Sequence, residues 1–187
     1  MSAGEHLDSS ELFRRYARYV ANFLVRMGVP GRDLDDLMQE VFLVAHKHGG
    51  YTPGPAKPTT YLANIAFKAV VSHRRKARTR GFVSVDERAV EHAAAGSRNA
   101  EAQREHDQKL EILDRVLGTL DEDKRAVFVM AELQGETVVS IAAGLGVPVD
   151  TAYSRLRAAR KKFRAAVLEL GAEQAEALSP SLESTPQ

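Results

Sequence analysis

The chain has 187 residues, 44% of them hydrophobic, with a net charge of +1 and no cysteine. That is enough apolar material for packed cores, best distributed over two small helical domains, and it excludes disulfides and thiolate metal sites. No apolar run approaches the roughly 18 residues of a membrane span, and the N-terminus MSAGEHLDSSE is polar and acidic, so a cytoplasmic protein with neither signal peptide nor membrane span is expected.

Asp8, with Glu11 three residues on, predicts a capping box for a first helix carrying Leu12, Phe13, Tyr16, Tyr19, Val20, Phe23, Leu24 and Met27 at amphipathic spacing. Gly28 to Gly31, with Pro30, ends it. Asp33 starts a second helix with Leu34, Leu37, Met38, Val41, Phe42 and Ala45 inward, stopped by Gly49 and Gly50. Its outward side is anionic: Asp35, Asp36, Gln39 and Glu40 lie within two turns, and 36, 39 and 40 share one face because helix neighbours are three and four residues apart. Such a patch suits a basic partner surface, where charge complementarity sets orientation and association rate. A loop rich in Pro and Gly, Tyr51 to Pro58, precedes a third helix from about Thr59. This helix packs Tyr61, Leu62, Ile65, Ala66, Ala69 and Val70, leaves Phe67 off that stripe, and ends strongly basic.

Residues 8–80 therefore read as one helical domain. From 81 to 104 the periodicity fades into Ala, Glu, Ser and Arg, with Gly96, Ser97, Arg98 and Asn99 the least structured point, which predicts a flexible linker. A second domain is expected over 105–170. It opens on Leu110, Ile112, Leu113, Val116 and Leu117 and continues in a helix from Asp121 to Leu133, for which Thr119 and Glu122 could form a capping box. Gln134 and Gly135 break that helix. Thr137 is placed to cap a short one through Ile141 and Ala142, and the Gly144, Leu145, Gly146 turn follows, with Pro148 and Asp150 at the start of the next helix. This is helix-turn-helix punctuation. Residues 171–187, rich in Ala, Glu, Ser and Pro, are expected to form a disordered tail. The predicted fold class is all-α: two small helical domains joined by a flexible linker.

The last helix has an apolar stripe, Ala152, Leu156, Ala159 and Phe163, at steps of four, three and four, which assigns its buried side. Thr151, Tyr153, Ser154 and Arg155 remain on the exposed N-terminal half, the part that reaches base edges in helix-turn-helix proteins, and are the candidate base readers. Arg157, Arg160, Lys161, Lys162 and Arg164 come later, where the helix leaves the groove and passes phosphates, so they are expected to carry affinity and not sequence choice. The net charge conceals strong local polarity. Lys68 to Arg80 holds six Lys or Arg and no acid, and Ala165 to Gln187 holds four Glu and no base.

These pieces, in this order, resemble the extracytoplasmic-function group of bacterial sigma-70 family transcription initiation factors. Asp33 through Phe42, DLDDLMQEVF, is similar to the pattern with which that family docks on the clamp helices of core RNA polymerase. Tyr61, Leu62 and Ile65 through Arg75 resemble the part that opens and reads the −10 promoter element, and Leu120 to Arg164 the part that reads the −35 element. The resemblance implies that Asp35, Asp36, Gln39 and Glu40 bind polymerase, with contacts to its flap also expected. It places Tyr61, Asn64, Phe67 and Lys68 near the non-template strand, and Arg74, Arg75, Lys76, Arg78 and Arg80 near duplex phosphates. It further implies promoter DNA and an anti-sigma factor as partners, and no catalytic activity. The sequence departs from the family pattern at Tyr61, where most relatives hold Trp, at Lys68 for Asn, at Ser72 for Asp, and at Val138, Val139 and Ser140 for Tyr-Glu-Glu.

Two rival readings use the same residues. A stand-alone helix-turn-helix regulator would bind operators by itself, usually as a two-fold dimer. A metal-assisted nuclease would recruit Asp33, Asp36 and Glu40. His73 has no partner at ligand spacing and His46 and His48 cannot share a helix face, so neither a metal nor a cofactor is expected.

Overall fold

The computed structural model describes residues 6–79 and 110–178. Its elements are α1 (Ser9–Arg26), α2 (Gly31–Lys47), α3 (Pro58–Thr79), α4 (110–118), α5 (Glu122–Phe128) running into a π-helical turn (Val129–Leu133), α6 (Val138–Leu145) and α7 (Val149–Leu178). The linker expected at 81–104 lies outside the described residues.

α1 begins with both halves of the expected capping box. The Glu11 backbone N–H donates to Asp8 Oδ1 at 2.8 Å, and the Asp8 N–H donates to the Glu11 carboxylate at 3.2 Å. Such reciprocal bonds satisfy two helix-end donors at once. Leu12, Val20, Phe23 and Leu24 from α1, Leu37, Val41 and Ala45 from α2, and Leu62, Ala66 and Val70 from α3 form the core of a three-helix unit. An antiparallel bridge ties the N-terminal segment to the loop before α3, Leu7 N–H donating to the Tyr51 carbonyl at 3.0 Å and Tyr51 N–H returning to Leu7 at 2.8 Å. Phe13 departs from the expectation. It is 52% exposed, because it sits one residue off the Leu12, Tyr16, Val20, Phe23 stripe, and its ring packs edge-on against Phe42 at 5.0 Å.

The second unit is a helix-turn-helix. Thr137 accepts from the Ser140 N–H at 3.2 Å, capping α6 as expected. α6 ends at Gly146, whose φ of 67° is the left-handed conformation that ends helices without the steric penalty other residues incur. The stripe on α7 is buried as read, Ala152 and Ala159 fully and Leu156 nearly so, with Phe163 stacking on Phe128 at 4.7 Å.

Four details differ from the sequence reading. α2 starts two residues early, at Gly31, with Pro30 preceding it. The cap of α5 is Asp121, which accepts from the Lys124 N–H at 3.0 Å, whereas the Thr119 hydroxyl donates back to the Val116 carbonyl, so no Thr119–Glu122 box forms. The hydrogen bond from the Lys124 side chain, first, holds the Asp121 carboxyl below its ordinary pKa. Leu133 is exposed, because the π turn widens the helix and rotates it off the packed face. Finally, α7 continues past Leu170 to Leu178, into the stretch read as tail.

The larger departure concerns the relation of the units. The sequence pattern suggested two bodies on a tether, but in the structure their apolar residues run into one another, Leu117, Phe128, Met130 and Ile141 joining the cluster that holds Phe23, Leu62 and Val70.

Candidate nucleic-acid interface

α7 owes its two faces to its spacing. With Ala152, Leu156 and Ala159 turned inward, Tyr153, Ser154, Arg157, Arg160, Lys161, Lys162 and Arg164 are exposed. An open groove of about 560 Å³ runs along this side, lined by Tyr153, Arg157, Lys161 and Arg164 among others. Thr151 is half-buried. Arg155 is likewise half-buried and pairs with Asp123 of α5 at 2.6 Å, while Arg160 forks onto one oxygen of Glu132, at 3.0 and 2.6 Å. Those two partners were not read from the sequence. They lie some thirty residues away and carry no local signal.

On α3 the candidates separate into two groups. Lys68, Arg75, Lys76 and Arg78 are exposed. Tyr61 is half-buried, its ring 5.8 Å from that of Tyr51 and its hydroxyl 3.4 Å from His48 Nδ1, and burial raises its pKa. Phe67 is half-buried against the core, and Asn64 has a buried side-chain oxygen with no hydrogen-bond partner. Arg74 contradicts the expectation of a phosphate contact in this arrangement. It turns inward, donating to the Met27 carbonyl and, at 3.2 Å, to Glu122 of the second unit. Arg80 lies outside the described residues.

The anionic face of α2 is open. Asp35, Asp36, Gln39 and Glu40 are all exposed, while Leu37, Val41 and Phe42 of the same run are buried. Leu43 follows Asp36 and Glu40 on that face and is 49% exposed, and exposed Phe13 packs against Phe42 nearby. An apolar margin beside the acids thus escaped the sequence reading, although the 36, 40, 43 spacing could have revealed it. Asp33 stands apart, half-buried, 3.8 Å from His73. Among the described residues no group of three or more His, Asp or Glu is arranged to hold a metal ion, and no helix is long and apolar enough to cross a membrane.

A helix-turn-helix unit with a cationic outer helix, beside a three-helix unit with one basic and one acidic outer face, defines a DNA-binding transcription factor of two modules. Residues 12–80 match Sigma-70 region 2, and residues 110–163 match Sigma-70 region 4. The chain is similar to the RNA polymerase sigma factor CarQ of Myxococcus xanthus, with 30% identity over 165 residues covering 87% of this chain and 91% of that one. It is also similar to the ECF RNA polymerase sigma factor SigL of Mycobacterium tuberculosis, 29% identical over 163 residues, 86% of this chain and 89% of that one. The fold is shared with the sigma factor RpoE from Bartonella quintana, in a co-crystal structure with the anti-sigma factor NepR, at a TM-score of 0.65 and 19% identity, covering 83% and 93% of the two chains. The chain belongs to the sigma-70 family and is a sigma factor of the extracytoplasmic-function type.

Proposed function

We propose that this chain binds core RNA polymerase through the α2 face formed by Asp35, Asp36, Gln39 and Glu40, with Leu43 and Phe13 as an apolar margin, and directs initiation at two promoter elements. In this reading α7 takes the −35 element. Thr151, Tyr153, Ser154 and Arg155 choose bases, and Arg157, Arg160, Lys161 and Arg164 position the helix on phosphates. α3 takes the −10 element, with Tyr61, Asn64, Phe67 and Lys68 toward the separated strand. Extruded bases cost a few kcal/mol, which pockets, aromatic faces and a cationic groove offset. The protein contributes recognition and no bond-making of its own, acts in the cytoplasm with the polymerase, and is restrained by an anti-sigma factor, as RpoE is paired with NepR.

The observation that carries the reading is the opposition of surfaces within one chain: an exposed carboxylate ridge on α2 and an exposed cationic groove on α7. A DNA-binding surface alone would serve a repressor equally well, and the ridge is what calls for a protein partner. Purified chain, core enzyme and a genomic fragment library test it in a reconstituted transcription assay. Core-dependent transcripts from defined start sites are expected. Palindrome binding without polymerase would favour the stand-alone regulator, and metal-dependent cleavage of the fragments would favour the nuclease.

A further inference from the structure

The cations of α7 do not share one environment. At 3.6 residues per turn, Arg155 and Arg160 fall on opposite flanks of the buried stripe, with Arg157, Lys161 and Arg164 between them on the outer face. Among the described residues those three outer cations make no ion pair, whereas each flanking arginine is tied to an acid of α5 or of its π turn. Arg155 Nη2 stands 2.6 Å from Asp123 Oδ2, and Arg160 donates through Nε and Nη2 to Glu132. The Asp123 side chain is 47% exposed and that of Arg155 27%. A pair this accessible to water adds little to stability, because solvent screens it and ordering two side chains costs entropy. What it does fix is the plane in which the Arg155 guanidinium lies. Five N–H donors form a rigid fork there, so a carboxylate at one corner leaves a two-donor edge for a second planar partner.

An unrestrained arginine samples many rotamers and meets phosphate oxygens as readily as bases. Bidentate contact with guanine O6 and N7 asks for one plane in one place. Asp123 sits in the first turn of α5, which the Asp121 cap holds in register. It therefore sets the guanidinium before DNA arrives, and less side-chain freedom is lost on binding. Pairing also removes the net charge of Arg155, so the pair offers geometry with little of the counterion release that drives phosphate contacts. The outer cations offer the reverse, charge without a fixed plane. A plainer role for Asp123 is to complement the positive end of the α5 dipole. That role stabilises the helix and leaves the choice of bases untouched.

We propose that Asp123 is a specificity-determining positioning residue, holding the Arg155 guanidinium so that it reads one guanine of the −35 element. The proposal rests on the base-reading role given to Arg155 above. Its test uses full-length chain with core polymerase, bound to promoter fragments carrying each single-base change in the −35 element, at low and moderate salt. Asp123→Ala should lower the preference for guanine at the Arg155 position by about tenfold. Binding to the remaining variants should rise by about twofold with a steeper salt dependence, because a carboxylate near the phosphates is gone. Helical content by circular dichroism should not change. An acid that merely steadies α5 would not move preference and affinity in opposite directions. In an Arg155→Ala background, Asp123→Ala should shift no preference at all, since the group it positions is absent. Glu132→Gln, on the other flank, should raise binding to every fragment alike. If Asp123→Ala weakens all fragments equally, or if Glu132→Gln relaxes the same position, positioning by Asp123 is refuted. If Arg155→Ala relaxes one position and Asp123→Ala none, the role of Asp123 alone falls, whereas an Arg155→Ala that relaxes no position removes the base-reading assignment and the proposal with it.

Discussion

On α7, Arg157, Lys161 and Arg164 face solvent along an open groove and Lys162 is exposed as well, whereas on α3 Arg74 is drawn between the Met27 carbonyl and Glu122 and only Lys68, Arg75, Lys76 and Arg78 stay outside. Both helices carry runs of cations, α3 at its C-terminal end and α7 over 155–164, and composition alone would rate them equal. The difference lies in what packs over them. α7 packs on its unit through the Ala152, Leu156, Ala159, Phe163 stripe and pairs Arg155 with Asp123 and Arg160 with Glu132, leaving its other cations outside, while α3 lies under α6 at the junction of two units. Cation content therefore reports the capacity to meet DNA, and packing decides which cations are available.

The largest effect expected concerns neither helix, and it separates docking from DNA reading. Asp36→Lys with Glu40→Lys replaces attraction by like-charge opposition worth several kcal/mol. Core association measured by pull-down should fall by more than about 100-fold with helicity intact, and normal association would remove the docking assignment. Next, the two sides of α7 should respond very differently to truncation. Leu156→Ala should cost about 2–5 kcal/mol in urea unfolding, whereas Leu168→Ala, at a position 74% exposed, should stay within about 0.5 kcal/mol. Similar losses at both would mean the faces are misassigned.

Among the proposed base readers, Arg155→Ala should cost about 1–3 kcal/mol at one −35 position and relax preference there. A binding assay across single-base promoter variants reads this directly. The smallest expected effect is that of Lys161→Ala or Lys162→Ala, weakening every promoter alike and lowering the salt slope by about one per contact. If arginine and lysine variants behaved identically, the division between base readers and phosphate contacts would not survive.

Much of this was legible in the sequence because it is written locally. The Asp8–Glu11 box, the Thr137 cap, the Gly146 stop and the 152, 156, 159 stripe each depend on residues a few positions apart. The DLDDLMQEVF run likewise placed Asp35, Asp36 and Glu40 outside and Leu37, Val41 and Phe42 inside through helical periodicity. Where two local signals competed, the reading failed. Thr119 and Asp121 are both fit to cap α5, and Asp121 prevails because the helix begins at Glu122, within reach of the Lys124 N–H. The π turn had no signature, as nothing in VMAEL distinguishes it from α-helix. The junction of the two units was least visible of all. Thr60, Ser140, Glu136, Arg125 and Asp114 are residue types that normally face water, and only partners far off in the chain account for their burial.

The most direct test of the central claim is a footprint on one promoter fragment, with core polymerase alone, with this chain alone, and with both. The account predicts protection over two separate stretches near −35 and −10, with reactive unpaired bases at the downstream one, only when chain and core are combined. A single palindromic footprint given by the chain alone, unchanged by core enzyme, would contradict it.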